Sequence, residues 1–539
     1  MKPKTKLRFA VLLDSKWLKK WQADAIEDLI KSELAECVQL IQNKNETSYT
    51  TIKLSLGYKI IDRITRNSGP LEVVNIEDLL TSIPLVKVKP IQKGNANYFA
   101  DEDLDSIKQL NLDFLLRFGF GILKGEILSI PTFGVWSFHH GDPTQFRGGP
   151  AGFWEIYNKS HTTAAILQRI NHQLDQGEVL RRGDFQTINH SYKANLHHVL
   201  EEAKYWPTLV AKQICFNDYE TFKKESKTKG KLYKIPSTLQ TIYFAKKLIS
   251  NKIKFHWNAL FKAEKWNIGI VDQPIDSLVT QELAKVKWIK EAPKNRYYAD
   301  PFPLSDKVIL AECYNYRSQK GEIIQLDNEG YQQGTFLSKK THLSYPYTIK
   351  TDSAKYLLPE NYKNKSLCLY KIEGNKIVKE IHLLKGGWID PSITFFENRW
   401  WLFCTSKKSP NEALYLFYAE HIEGPYHPHL LNPVLEDIKS ARPAGTMFYK
   451  DNKLYRFGQN CSETYGGSIQ MKKIIKLSPH DYQEEFVKKF TAKEFRTYDK
   501  GVHTLSAFGD KILVDAKRFH FNYQNFKAQL LNKLRTIKK

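Results

Sequence analysis

Hydrophobic and polar residues follow two different patterns along this chain. In the first, short apolar runs alternate with stretches of helical spacing. Leu7–Leu13 reads as a strand and residues 22–40 as an amphipathic helix. Residues 112–118 and 133–139 read as strands bracketing a short helix near 122–129, and helical spacing returns over residues 164–174 and 194–214. Strands alternating with helices predict a mostly parallel sheet covered on both faces, an α/β Rossmann-like domain. Ligands of such sheets bind beyond the carboxyl ends of the strands, which is where His139 falls. No GxGxxG follows the first strand, where Leu13-Asp14-Ser15-Lys16 stands instead, so dinucleotide binding is not expected.

Beyond Trp266 the pattern becomes all-β, with aromatic and β-branched runs parted by Asn, Asp and Gly turns. Asp300-Pro301, Tyr345-Pro346, Asp390-Pro391, Arg442-Pro443 and Val502-His503 recur as a loose repeat, most of them followed by a hairpin. Four short strands per unit in five units predict a five-bladed β-propeller. Between the two patterns, residues 222–265 carry twelve lysines against Glu225 and Glu264, with a basic helix expected at about 238–254. Such a helix either packs between domains or lies on an anionic membrane. The expected plan is an α/β domain over residues 1–215, a basic connecting segment 216–265, a propeller 266–521 and a basic amphipathic helix 522–539.

Composition narrows the partners. The 539 residues are 42% hydrophobic and 13% aromatic, a globular balance. A formal charge of +23 favours acidic partners: nucleotide phosphates, RNA or an anionic membrane surface. The six cysteines are scattered without metal-ligand spacing, which fits a reducing compartment, and no metal site is expected. The apolar run at residues 9–13 is too short for a signal peptide, and nothing approaches the ~20 apolar residues of a spanning helix. A cytoplasmic location is expected.

The candidate chemistry lies in residues 134–149, where a short apolar strand delivers His139 into a polar loop ending in Arg147-Gly148, and in Leu174-Asp175-Gln176-Gly177 downstream. A histidine at a strand end and a loop aspartate form a proton-handling pair. Together with the glycine-rich turn after Asp113–Phe118 (Gly119, Gly121), this run resembles the folate-dependent formyltransferases, well over residues 90–182 and faintly at Leu7–Leu13. The resemblance implies 10-formyltetrahydrofolate as co-substrate, His139 and Asp175 as catalytic residues, and folate binding near Gly121, Ile122, Leu123, His172, Gln173 and Leu174. The family's asparagine two residues before the histidine is replaced by Ser137, which removes one expected oxyanion donor.

The β region resembles the five-bladed propellers of glycoside hydrolases and of the N-terminal part of plant inositolphosphorylceramide glucosaminyltransferases. The residues that carry this are Tyr298-Ala299-Asp300-Pro301-Phe302, Ser344-Tyr345-Pro346, Pro359-Glu360-Asn361, Trp388-Ile389-Asp390-Pro391 and Ala441-Arg442-Pro443-Ala444-Gly445. Asp300, Glu312, Glu360 and Asp390, with Arg442 and His503 opposite, become candidates for a central pocket; the bland alternative makes them turn caps. The expected activity is formyl transfer to an amine of a nucleotide- or lipid-linked amino sugar. The alternatives are a glycan-binding or glycan-hydrolysing protein with a degenerate formyltransferase domain, a non-catalytic scaffold in polysaccharide assembly and, as a lesser rival, methionyl-tRNA formylation. Expected partners are an amino-sugar nucleotide or glycan and no specific nucleic acid, with peripheral contact to an anionic membrane left open. Oligomeric state is not readable from the sequence.

Overall fold

The computed structural model describes residues 6–45, 55–65, 67–77, 82–173, 177–216 and 230–537. They divide into two compact units, Met1–Lys252 and Ile253–Lys539.

The first unit is built on a seven-stranded sheet. In chain order its elements are β1 (Leu7–Leu13), α1 (Lys20–Lys31), β2 (Ala35–Asn43), β3 (Leu85–Val88), α2 (Asp101–Gln109), β4 (Phe114–Arg117) and β5 (Val135–His139). Then come β6 (Phe146–Gly148), β7 (Thr162–Arg169), β8 (Glu178–Gln186), α3 (Tyr192–Ala203), α4 (Trp206–Phe216), β9 (Lys231–Tyr233) and α5 (Thr238–Phe261). The sheet runs β8-β7-β5-β4-β1-β2-β3, parallel from β5 to β3 and antiparallel at the β7 and β8 edge. β1 and β4 are buried on both faces, so they read as unbroken apolar runs rather than alternating ones.

Several local expectations are corrected. The helix expected over residues 22–40 ends at Lys31; Glu33 turns into the left-handed region at φ 60°, and the chain from Ala35 pairs with β1 as β2. The helix expected over residues 164–174 is absent from the described part, 164–173: Thr162–Arg169 is a strand between β5 and β8. An apolar run of this length looks the same whether a buried strand or a buried helix uses it. Near 122–129, Ile122–Leu123 pairs with Ala96–Tyr98 and only Glu126–Leu128 makes a single 3-10 turn. Residues 194–214 form two helices, α3 and α4, with Pro207 in the first turn of the second. The basic helix is longer than expected. Within the first unit its Phe244 is fully buried and stacks on Phe153 at 4.0 Å, while β9 pairs with β6.

The second unit consists of five separate antiparallel sheets. Four follow in order, beginning with the strands Arg296–Ser305, Ser344–Lys350, Trp388–Phe396 and Phe448–Lys450. In the fifth, Ala263–Val271 from the start of the unit pairs with Lys511–His520 from its end, register Ala263↔His520 to Val271↔Ile512. Shared apolar clusters join neighbouring sheets. Phe302 and Tyr345 pack with Leu358, Ile393 and Leu402, and Trp401 and Phe403 pack with Leu454 and Ile474. A final helix, α6 (Tyr523–Ile537), follows. All six cysteines are unpaired thiols. No described helix is long and apolar enough to cross a membrane.

Candidate functional site

In the first unit the chemistry gathers at the carboxyl ends of β4 and β5. Side chains alternate along a strand, so Ser137 and His139 share one face of β5. Ser137 is paired in register with Arg117 of β4. The Arg117 guanidinium donates to Ser137 Oγ at 2.7 Å and to the Gly121 carbonyl, while its buried Nε has no hydrogen-bond partner. Burial lowers the Arg117 pKa and Asp14 opposes that. His140 takes the opposite face: it stacks on Phe138 and meets Trp21 edge-on, and burial with the neighbouring His139 pushes it down to about 3. A neutral, packed His140 is no proton carrier near neutral pH.

The glycine-rich turn is held by Asp14, whose Oδ1 accepts Phe120 N–H at 2.8 Å and Asn43 Nδ2 at 3.1 Å. A Cβ on Gly119 would lie 2.6 Å from Asp14 N, so only glycine lets the two segments approach this closely. Ile122 is partly exposed beside Gly121 and Leu123 is buried. His172 and Gln173 are exposed; Leu174 and Asp175 lie outside the described residues.

Gly141 brings a further group close to His139. A Cβ there would lie 3.3 Å from His139 Nε2 and 3.8 Å from Glu155 Oε1. Glu155 is 2% exposed, and burial pushes its carboxyl up to about 7. Next in the loop, Asp142 accepts from Arg182 Nη2 at 3.0 Å and from Thr144 Oγ1 at 2.7 Å. Burial would raise the Asp142 carboxyl, but Arg182 and Thr144 outweigh it and hold it at about 2. Arg117, Glu155 and Arg182 were not read as site residues from the sequence. The available signal was a charge set in an apolar run, single in Phe-Leu-Leu-Arg and Phe-Trp-Glu-Ile-Tyr and doubled in Val-Leu-Arg-Arg.

The second unit holds a cavity of about 620 Å³ whose lining includes Asp300, Glu312, Glu360, Arg442, His342 and Tyr465. A repeated backbone device lies at and behind its lining. Asp300, Tyr345 and Asp390 each precede a proline, sit at a register shift of the first strand of their sheet, and have φ of 51°, 45° and 46°. Left-handed conformation at a non-glycine residue is strained, and it is retained where the surrounding contacts over-determine it. Those contacts are present. Asp300 Oδ1 accepts Thr504 Oγ1 at 2.9 Å and Oδ2 accepts Tyr345 N–H at 3.2 Å; Arg442 grips Asp390 with two bonds of 2.6 and 3.2 Å.

Asp390 and His503 stand behind the lining. His503 stacks on Trp266 at 3.8 Å, and its Nδ1 lies 2.7 Å from Asp515 Oδ1. Burial would lower the His503 pKa, but Asp515 and Asp300 raise it overall. Burial, with Asp515 and Asp390, pushes Asp300 up to about 6 against the pull of His503. Burial likewise raises Glu312, helped by Asp300 and Glu360, and raises Glu360 despite Arg442. Glu312 Oε1 is buried without a hydrogen-bond partner. The pocket therefore sets carboxyls that burial pushes toward the protonated form beside a guanidinium. Asp515, Gln459 and Tyr345 complete the network and were missed as site residues; Asp515 is the lone acid of the apolar strand Lys511–His520.

A family model described as Glucosamine inositolphosphorylceramide transferase 1, N-terminal, matches residues 292–505. The protein of that name from Oryza sativa subsp. japonica is 35% identical over 159 residues, 28% of this chain and 21% of its own length. Methionyl-tRNA formyltransferase of Clostridium beijerinckii is 28% identical over 102 residues, 19% of this chain and 33% of its own. Among solved structures, glycinamide ribonucleotide transformylase 1 from Geobacillus kaustophilus aligns with a TM-score of 0.29 and 16% identity, covering 39% of this chain and all of that one. The chain thus spans about a fifth of the length of the plant relative and a third of the length of the tRNA-formylating one.

Proposed function

We propose that the chain transfers the formyl group of 10-formyltetrahydrofolate to the amine of an amino sugar, nucleotide- or lipid-linked. In the same reading the five sheets of the second unit are the blades of a propeller whose central cavity binds glycan. The observation that carries the proposal is the shared face of Arg117, Ser137 and His139 at the carboxyl ends of two adjacent parallel strands. The substrate amine attacks the formyl carbon, a C–N bond forms and a tetrahedral oxyanion develops. Arg117 donors, held by Ser137, take the place of the family's asparagine amide in stabilising that charge. His139 receives the amine proton and returns it to the folate nitrogen as the old C–N bond breaks; Asp175 is its proposed partner. The products are an N-formyl sugar and tetrahydrofolate.

The sugar assignment draws on the second unit. Carboxyls raised by burial can donate to sugar hydroxyls, and an ionised one can pair with an ammonium group. The relative's name specifies glucosamine, a sugar bearing an amine. Incubating the full chain with 10-formyltetrahydrofolate and a panel of UDP- and dTDP-amino sugars should release tetrahydrofolate and give an N-formyl product by mass spectrometry. His139→Ala should abolish both. A second reading, a glycan-binding or glycan-hydrolysing protein with an inactive first unit, is favoured by Ser137 in place of asparagine. Absence of turnover with every acceptor, alongside retained glycan binding that Asp300→Asn weakens, would select it.

A further inference from the structure

The outer face of α6 is apolar, exposed and ringed by cations. At ~100° per residue, Tyr523, Leu530, Leu531 and Leu534 fall on one side of this helix. All four are exposed, Tyr523 by 62% and Leu534 by 49%. The other side is packed: Phe526 lies against Phe261 and Phe521, with ring centroids 5.4 and 6.1 Å apart, and Lys533 Nζ reaches the His256 carbonyl at 3.4 Å. Trp257 stacks on Phe261 at 4.3 Å, so the end of α5 after Ile253 extends the surface, with Trp257 itself 59% exposed. Contiguous apolar groups of this kind mark an interaction surface rather than ordinary surface scatter.

Charge selects the occupant. Neither α5 nor α6 contains a single aspartate or glutamate; Lys533 and Arg535 flank the apolar stripe of α6, Lys527 falls within it, and Lys254 and Lys262 add charge in and just after α5. A second copy of the chain would bring like charges together. Tryptophan and tyrosine at the edge of an apolar stripe with basic flanks suit the headgroup region of a bilayer. We infer that this face docks on an anionic lipid surface, with α6 lying in the headgroup plane. This stands independently of the formyl-transfer reading. It has a consequence for the second unit: the inner residues Asn525 and Gln529 border a crevice walled by Tyr297 and Tyr314, which also line the acidic cavity. Docking would hold that crevice about one helix diameter, ~10 Å, from the headgroups.

The test is co-sedimentation of the full chain with phosphatidylcholine vesicles, with and without phosphatidylserine. Binding should require phosphatidylserine and weaken steeply as salt is added. Lys527→Glu should lower the partition coefficient at least about fivefold. The exposed-site double variant Leu530→Asn/Leu534→Asn should lower it at least about tenfold while circular dichroism stays unchanged. Absence of pelleting with phosphatidylserine vesicles, or equal pelleting of variants and wild type, would overturn the inference. So would a dimer in sedimentation velocity that the double variant dissolves.

Discussion

Arg117 carries more of the proposed chemistry than the residue it contacts. Ser137 is 3% exposed, and its hydroxyl is already engaged by the guanidinium, so a direct contact from Ser137 to a reacting carbonyl is not its main use. The five fixed N–H donors of arginine reach farther than a serine hydroxyl, and among the described residues two partners accept from them. Arg117→Met keeps the apolar stem and removes the donors. Turnover should fall about 100- to 1,000-fold with a smaller change in KM for folate, measured by tetrahydrofolate release. An unchanged rate would leave Arg117 a structural tie between β4 and the Gly121 turn. Sequence alone made His139 legible, because it closes an apolar strand inside a recognisable run. Arg117 was hidden because its partner lies twenty residues away on a neighbouring strand, and only the register of the sheet brings the two together.

At the scale of elements, the X-Pro pairs at Asp300, Tyr345 and Asp390 are register-shift bulges of the second unit. They were visible in the sequence as a spacing; their left-handed backbone was not, since nothing in an Asp-Pro or Tyr-Pro pair announces φ near 50°. Tyr345 shows what one bulge does. Its hydroxyl accepts Gly445 N–H at 2.7 Å and lies 2.9 Å from Ser392 Oγ, linking two sheets and the segment before Phe448–Lys450 through one buried atom. Tyr345→Phe takes the acceptor from the buried Gly445 N–H and leaves Ser392 Oγ only the Asp390 carbonyl, so unfolding free energy should drop by about 1–3 kcal/mol in urea titrations of the full chain. The misread elements share a cause. Thr162–Arg169 and Ala35–Asn43 carry apolar runs that fit either period, and pairing with β5 and β1 decides for strand.

At the scale of the whole molecule, the second unit is clasped by its own ends. Ala263–Val271 pairs along its length with Lys511–His520, and the same two strands supply Ile268, Val271, Leu513 and Val514 to buried clusters. The pairing also builds the site, because Asp515 on the last strand receives Asp300 N–H at 2.8 Å and holds His503. Neighbour-to-neighbour packing of this kind predicts that residues 253–539 fold without the first unit. They should melt cooperatively and retain glycan binding. Removing residues 511–539 should do the reverse: Ala263–Val271 loses one ladder, its apolar side is uncovered, and the carboxylate network loses Asp515. Limited proteolysis should then digest residues 263–510 while the first unit persists as a resistant fragment. A truncated chain with an intact, protease-resistant second unit would mean that the five sheets hold together without the clasp, and that each contributes its own stability.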